Sequence, residues 1–469
     1  MVETRAANWR FVVSLAVLSF ATVLLLGDAV LGDPDTYWHI GAGRWIIAHR
    51  AIPTADPFSN SVAGIPWVPH EWLSEVIFAA VYQWLGWSGI ILHTALFAGG
   101  ALGIFGHFVI RWLEPLYALI VVIMGLVLLM PHLYARPHIL ALPFMIAFVG
   151  ELVTARERHE RPSLWLLPLI CTWANLHGAF VIGIGFAAYF TAEALFEDGW
   201  EKGKSWLPFL ALVICSSLVT PNGVNGLLVL GSYSGLDTIM GQIKEWQPPN
   251  FQTLQPVEIW ILGFVALGLA LGVRLRATRL IIVVGLLHLA LKQARNVELL
   301  GFLAPLVVLP SAAPQVYAAL KRGYNDRWIS TPVMAGVALL VLVVTSRFLL
   351  IDHERQDDAI SPIKAVAAAR AQGVTGPVFN SYGFGGYLIF AGIAPFIDGR
   401  GEMYGDAFFK RYVEAEEGGG LPELLTERKF GWVLIEPDLE ANRVFARLPD
   451  WHPIYSDKFA VVYVPDSPG

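Results

Sequence analysis

The chain has 469 residues, 55% of them hydrophobic and only 15% charged, with a mean hydropathy of +0.56. That composition excludes a cytosolic enzyme and a disulfide-stapled secreted module, and 32 Lys and Arg against 38 Asp and Glu, with no long basic run, exclude a nucleic-acid binder. What is left is a polytopic α-helical membrane protein.

A spanning helix needs about 20 apolar residues. Stretches near 11–31, 88–110, 115–131, 138–154, 163–174, 178–196, 206–219, 257–273, 280–291, 297–311 and 330–350 therefore predict eleven transmembrane helices, the fifth, seventh and ninth being short. The first follows Arg5 and Arg10 and precedes no small-residue cleavage pattern, so it reads as a retained signal-anchor with a cytoplasmic N-terminus. Alternating from there, inside loops carry fourteen Lys and Arg, with dense clusters at Arg156, Arg158 and Arg161 and at Arg274, Arg276 and Arg279, against seven outside. An odd number of spans puts everything after residue 351 outside the cytoplasm. Cys171 and Cys215 lie in apolar runs and read as small core residues.

Between the first two spans runs a large extracytoplasmic loop, 32–87. It opens Gly32-Asp33-Pro34-Asp35-Thr36-Tyr37-Trp38-His39, which sets two carboxylates at the membrane exit. Such a pair can hold a divalent cation such as Mg or Mn through oxygen ligands, or take a proton from an attacking hydroxyl. It can equally be a helix start, Asp33 turning the chain and Asp35 capping a helix whose first residue is Thr36. That helix, Thr36 to His49, is expected to lie in the membrane interface. A turn-rich stretch, Pro53 to Pro69, leads to His70 and Glu71 at the start of an amphipathic helix with Leu73, Val76, Ile77, Ala80 and Trp84 on its apolar side.

Further along, polar groups recur at the predicted outside helix ends: His132, Arg136 and His138; Asn175 and His177; Thr220, Asn222 and Asn225; Lys292, Arg295 and Asn296. Each alone is ordinary loop polarity or a snorkelling side chain. As a set beside Asp33 and Asp35 they fit a cavity taking a phosphate-bearing substrate, with His39, His70 and Glu71 as further contacts. After residue 351 the balance turns to −7, and the pattern becomes α/β, so residues 1–351 form the helical membrane domain and 352–469 a soluble extracytoplasmic one. A helix near 359–371 is expected there, strands near Pro377–Asn380, Tyr387–Phe390 and Pro395–Ile397, helices near 405–415 and 421–428, a buried strand Trp432–Ile435, and a hairpin from Trp451 to Val464. Asp398 and Arg400 either bind a sugar or acceptor or form an ion pair that holds their turn. The glycine-rich run Asn380 to Tyr387 lacks phosphate-loop and dinucleotide spacing, so no nucleotide cofactor is expected.

A signal-anchor helix, an outside loop opening on Asp33 and Asp35, a Pro-rich turn with Gly64, Pro66 and Trp67, a multi-span bundle and an outer α/β domain together resemble the GT-C superfamily of polyprenyl-phosphate-sugar-dependent glycosyltransferases, particularly bacterial mannosyltransferase-like members. The chain departs from better-known branches in carrying Asp-Pro-Asp and Ile-Pro-Trp followed by His-Glu-Trp. The resemblance implies inverting transfer of a sugar from a lipid-phosphate donor to a glycan, lipid or protein acceptor at the outer face of a bacterial inner membrane. Asp33 or Asp35 would be base or metal ligand, and Arg136, Lys292 and Arg295 would offset the leaving phosphate. Two other classes use the same features: a non-catalytic scaffold for surface-polysaccharide assembly, and a lipid or glycolipid transporter, the latter disfavoured by helix interiors nearly free of charge.

Overall fold

A computed structural model describes residues 8–232, 235–321 and 329–466. Arg5, Arg322 and Arg327 of the loop-charge count lie outside the described residues. The chain forms two compact units: Met1–Val30, Ile91–Thr220 and Ile243–Asp352 make the first, and Leu31–Ile90, Pro221–Gln242 and His353–Gly469 the second. The long first loop thus belongs with the C-terminal region.

The chain is a multi-pass membrane protein. Among the described residues seven helices are long and apolar enough to cross a bilayer: Trp9–Leu31, Trp72–Val109, Pro115–His132, Pro137–Glu157, Phe180–Glu197, Ala294–Ala319 and Thr331–Leu349. The remaining apolar stretches form helices of 11 to 16 residues, Leu166–Leu176, Leu207–Ser217, Pro256–Ala270 and Ala277–Lys292. The predicted amphipathic helix and second span form one run, broken at Gly86, whose φ of +59° favours a residue without Cβ. In the first unit, Val297–Ala319 is buried for most of its length and carries Pro305, Pro310 and Pro314, which neighbouring helices make tolerable in a bundle.

Three arginines of the predicted inside loops hold helix ends together. Arg156 pairs with Glu193 (3.1 Å) and Asp198 (2.5 Å), Arg279 with Glu157 (2.9 Å) and Glu193 (3.2 Å), and Arg276 with Glu157 (3.1 Å) and Glu197 (3.2 Å). Arg156, Arg279 and Glu193 are buried, and at such sites charges persist only when paired.

The second unit contains a four-stranded sheet, β1 (Val378–Asn380), β2 (Trp432–Ile435), β3 (Trp451–Ser456) and β4 (Val461–Pro465), in the order β1-β2-β4-β3. β1 runs parallel to β2, and the other pairings are antiparallel. Val378, Leu434 and Val462 pack with Val366 and Ala369 of the helix Ile363–Ala371 and with Phe384 and Leu388.

Two expected strands are absent. Gly385–Phe390 is a helix, because Gly386 and Gly41 let it lie directly on the helix Asp35–His49: a Cβ at 386 would meet the Pro34 carbonyl oxygen at 2.3 Å, and one at 41 would meet Ile389 at 2.7 Å. Residues 395–397 find their partner in the first loop instead of a sheet. The Pro395 carbonyl accepts from the Asn60 N–H at 2.8 Å, and the Phe396 carbonyl from the Ser61 hydroxyl at 2.5 Å. The helix Asp35–His49 is likewise buried along Thr36–Gly43 within its unit, where an interfacial helix was expected.

Candidate active site

Asp33 is buried, and its Oδ1 accepts the backbone N–H of Asp35 at 2.8 Å, satisfying one of the orphan donors at the helix start. Asp35 is the first helical residue and Pro34 stands at the cap position, so the acceptor comes from Asp33 one residue earlier and not from Asp35. This frees the Asp35 carboxylate from that duty: its Oδ1 accepts from the Trp38 indole at 3.0 Å and lies against the turn at residues 398–401. A Cβ on Gly399 would sit 2.1 Å from Asp35 Oδ1 and 2.9 Å from Trp38 Nε1, so only glycine allows this approach. Asp35 and the C-terminal turn therefore share one compartment.

His39 follows Asp35 by one helical turn and is buried. Its Nε2 lies 3.8 Å from Glu71 Oε2 and its Nδ1 3.9 Å from Glu75 Oε1; His70 Nε2 is 3.9 Å from Glu71 Oε1. His39, His70 and Glu71 thus lie together, with the buried Glu75 added. Sequence reading passed over Glu75 because it lies opposite the apolar stripe, where a charged residue reads as solvated; its i+4 spacing from Glu71 was the available signal.

Asp398 and Arg400 form a buried salt bridge. Arg400 Nε and Nη2 donate to Asp398 Oδ1 and Oδ2 at 2.8 and 2.7 Å, Nη1 donates to Asp56 Oδ1 at 2.7 Å, and the Tyr404 hydroxyl donates to Asp398 Oδ2 at 2.7 Å. The guanidinium stacks on Phe58 and Trp67, 5.1 and 4.8 Å from the ring centres. Burial would raise the Asp398 carboxyl, but the Arg400 charge and its hydrogen bonds hold it below the usual carboxylate range. The second carboxylate, Asp56, accepts from Phe58 N, Ser59 N and the Ser59 hydroxyl. Asn222 is also in this unit, its amide donating to the Pro69 carbonyl at 3.0 Å.

The other expected site residues, apart from Asn225, belong to the first unit. Arg136 Nη1 donates to Glu245 Oε2 at 2.8 Å, Arg295 Nη1 lies 4.0 Å from Glu245 Oε1, and Arg295 also stacks on Trp246 at 4.2 Å. Burial alone would raise the Glu245 carboxyl, yet the two guanidiniums bring it down to about 2. His138 lies 2.9 Å from the His132 carbonyl, 3.9 Å from Glu298, and 6.3 Å ring to ring from His177. Asn175 donates to the Cys171 and Val219 carbonyls at 2.8 and 3.0 Å, Asn296 bonds Gln293 Oε1 at 3.1 Å, and Lys292 is exposed at a helix end. Glu245, the centre of this cluster, stands in a segment without periodicity and gave no sequence signal.

Among the described residues no three His, Cys, Asp or Glu side chains are grouped to hold a metal ion, and Asp33 spends an oxygen on the helix start.

No protein-family model matches the sequence, and no curated protein matches it at a significant level. Solved structures do. The crystal structure of the Archaeoglobus fulgidus oligosaccharyltransferase in the apo form aligns with a TM-score of 0.53 at 11% identity, over 89% of this chain and 69% of that one. ArnT from Cupriavidus metallidurans bound to undecaprenyl phosphate aligns with a TM-score of 0.51 at 15% identity, over 96% of this chain and 97% of that one. The chain has a GT-C-like fold.

Proposed function

We propose that the chain is a membrane glycosyltransferase that moves a sugar from a polyprenyl-phosphate-linked donor to an acceptor hydroxyl on the outer face of a bacterial inner membrane, with its N-terminus cytoplasmic. The observation that carries this reading is the fold likeness running through 96% of this chain and 97% of a protein solved with undecaprenyl phosphate. The Asp35 carboxylate, which accepts from the Trp38 indole and lies against the Gly399 turn while Asp33 takes the backbone N–H, supports the choice of acid.

In this scheme the acceptor oxygen attacks the anomeric carbon, its proton passes to Asp35, and the bond from carbon to phosphate oxygen breaks on the opposite face. The electron pair leaves with the lipid phosphate, which gains a negative charge. Arg136 and Arg295, with Lys292 three residues before Arg295 in the chain, are the residues assigned to offset it. Asp33 positions the base. No step is routed through a cation.

The test is sugar transfer in proteoliposomes supplied with polyprenyl-phosphate sugars. Asp35→Asn, in protein shown to be inserted, should lose at least about a hundredfold in rate, the low end of what a positioned base supplies, and Asp33→Asn should lose less. Normal transfer by the Asp33→Asn, Asp35→Asn double variant would refute the mechanism.

A further inference from the structure

The arginine pair assigned above to the lipid phosphate already holds an anion from its own chain. Arg136 precedes the helix Pro137–Glu157, and Arg295 lies in the turn before Val297–Ala319, so each stands at the N-terminus of a long helix, where the dipole adds to its positive charge. Glu245 reaches both. It is delivered by the short turn Lys244–Trp246, which is anchored on the same side by the stacking of Trp246 under Arg295 and by the Gln247 carbonyl accepting the Ala294 N–H at 2.8 Å.

The charges do not balance within this trio. One carboxylate with a single negative charge faces two guanidiniums, and only its bond to Arg136 is at hydrogen-bonding distance, with Arg295 left at 4.0 Å. A phosphate offers more oxygens and, as a monoester, more charge, and guanidiniums bind it through paired donors. The pair is thus better matched to a phosphate than to the carboxylate it holds. All four side chains, Arg136, Arg295, Glu245 and Trp246, are partly open to their surroundings, so exchange needs no core to be broken.

We propose that Glu245 is a resident competitor for the lipid phosphate: it occupies Arg136 and Arg295 in the empty protein, a polyprenyl phosphate displaces it together with the turn Lys244–Trp246, and its return helps expel the phosphate product. The inference rests on the arginine pair being the phosphate site. Held ionised by the two arginines, Glu245 competes as an anion across the physiological pH range. With Glu245 gone, the pair would keep its cationic charge in the empty state and bind phosphate without first losing this carboxylate.

The experiment measures binding of undecaprenyl phosphate, with undecaprenol as the uncharged control, to the full chain in nanodiscs. Glu245→Gln should bind undecaprenyl phosphate about tenfold more tightly, the scale of one charge-assisted hydrogen bond no longer broken, and undecaprenol unchanged. Arg136→Gln should weaken phosphate binding in both backgrounds. Unchanged or weaker binding by Glu245→Gln, with Arg136→Gln still weakening it, would overturn the competitor and leave the phosphate site standing. No effect from Arg136→Gln or Arg295→Gln would overturn the site itself. Should Glu245→Gln fold poorly, hydrogen exchange on the unaltered protein decides: undecaprenyl phosphate should speed exchange across residues 243–247, and protection there would overturn the proposal.

Discussion

Arg400 is where the stability of the second unit is most concentrated. Replacing it with Met keeps much of the stem but leaves Asp56 and Asp398, both fully buried, without a cation. Breaking a buried ion pair from one side costs about 3 to 5 kcal/mol, and the lost stacking on Phe58 and Trp67 adds roughly 1 kcal/mol. For a unit of roughly 200 residues the ion-pair loss alone corresponds to a fall in melting temperature of about 6 to 20 °C. Unfolding can be followed by tryptophan fluorescence in nanodiscs, since Trp67 lies against Arg400. Neutralising the two acids as well, in Asp56→Asn, Asp398→Asn, Arg400→Met, should recover more than half of the loss, because a buried ionic group replaced as a whole is often nearly neutral. Arg400→Met protein melting within about 2 °C of the unaltered chain, or a triple variant weaker than the single one, would refute the argument.

Gly399→Ala tests the link between the C-terminal turn and the acid: a methyl 2.1 Å from Asp35 Oδ1 must push one of them away. Transfer should fall about a hundredfold, the cost of an ångström of misplacement, with the protein still inserted, and unchanged kcat/KM would show that the contact is idle. Glu416 gives the second unit a pH dependence of unusual sign. Burial, with the nearby Glu436 charge, pushes its carboxyl up to about 7 against the bond from the Tyr412 hydroxyl. The folded state therefore binds a proton that the unfolded chain has released, and stability falls as pH rises from the ordinary carboxylate range through about 7. Melting curves from pH 5 to 8 should show this slope, and Glu416→Gln should flatten it; an unchanged slope in that variant would assign the effect elsewhere.

The apolar runs made the helices legible because a bilayer demands length and hydropathy, and both are local properties. The C-terminal helix Leu421–Arg428 and the strand Trp432–Ile435 were readable for the same reason. Gly385–Phe390 was not, since its helical state depends on the helix Asp35–His49, far away in sequence, which its glycines allow it to touch. The site divides in the same way. Asp33, Asp35, His39, His70 and Glu71 stand in one loop, so their grouping could be read from sequence neighbours. Asp56 lay within a turn-rich stretch that gave no hint of a partner 344 residues on, and Glu245 in a segment without periodicity. Asp398 and Arg400 could be read as a ligand site or as an ion pair, and their burial with Asp56 is the third partner that a two-residue reading lacked.

The discontinuity of the second unit sets a timetable for biosynthesis. As the nascent chain leaves the ribosome, Asp56 emerges 344 residues ahead of the arginine that neutralises it. At translation speeds of about 5 to 20 residues per second that delay is roughly 20 to 70 s. Throughout it, the carboxylate at residue 35 has no Gly399 turn to rest against. A prematurely terminated copy would therefore present its unpartnered Asp56 to whatever chaperones or proteases patrol that compartment.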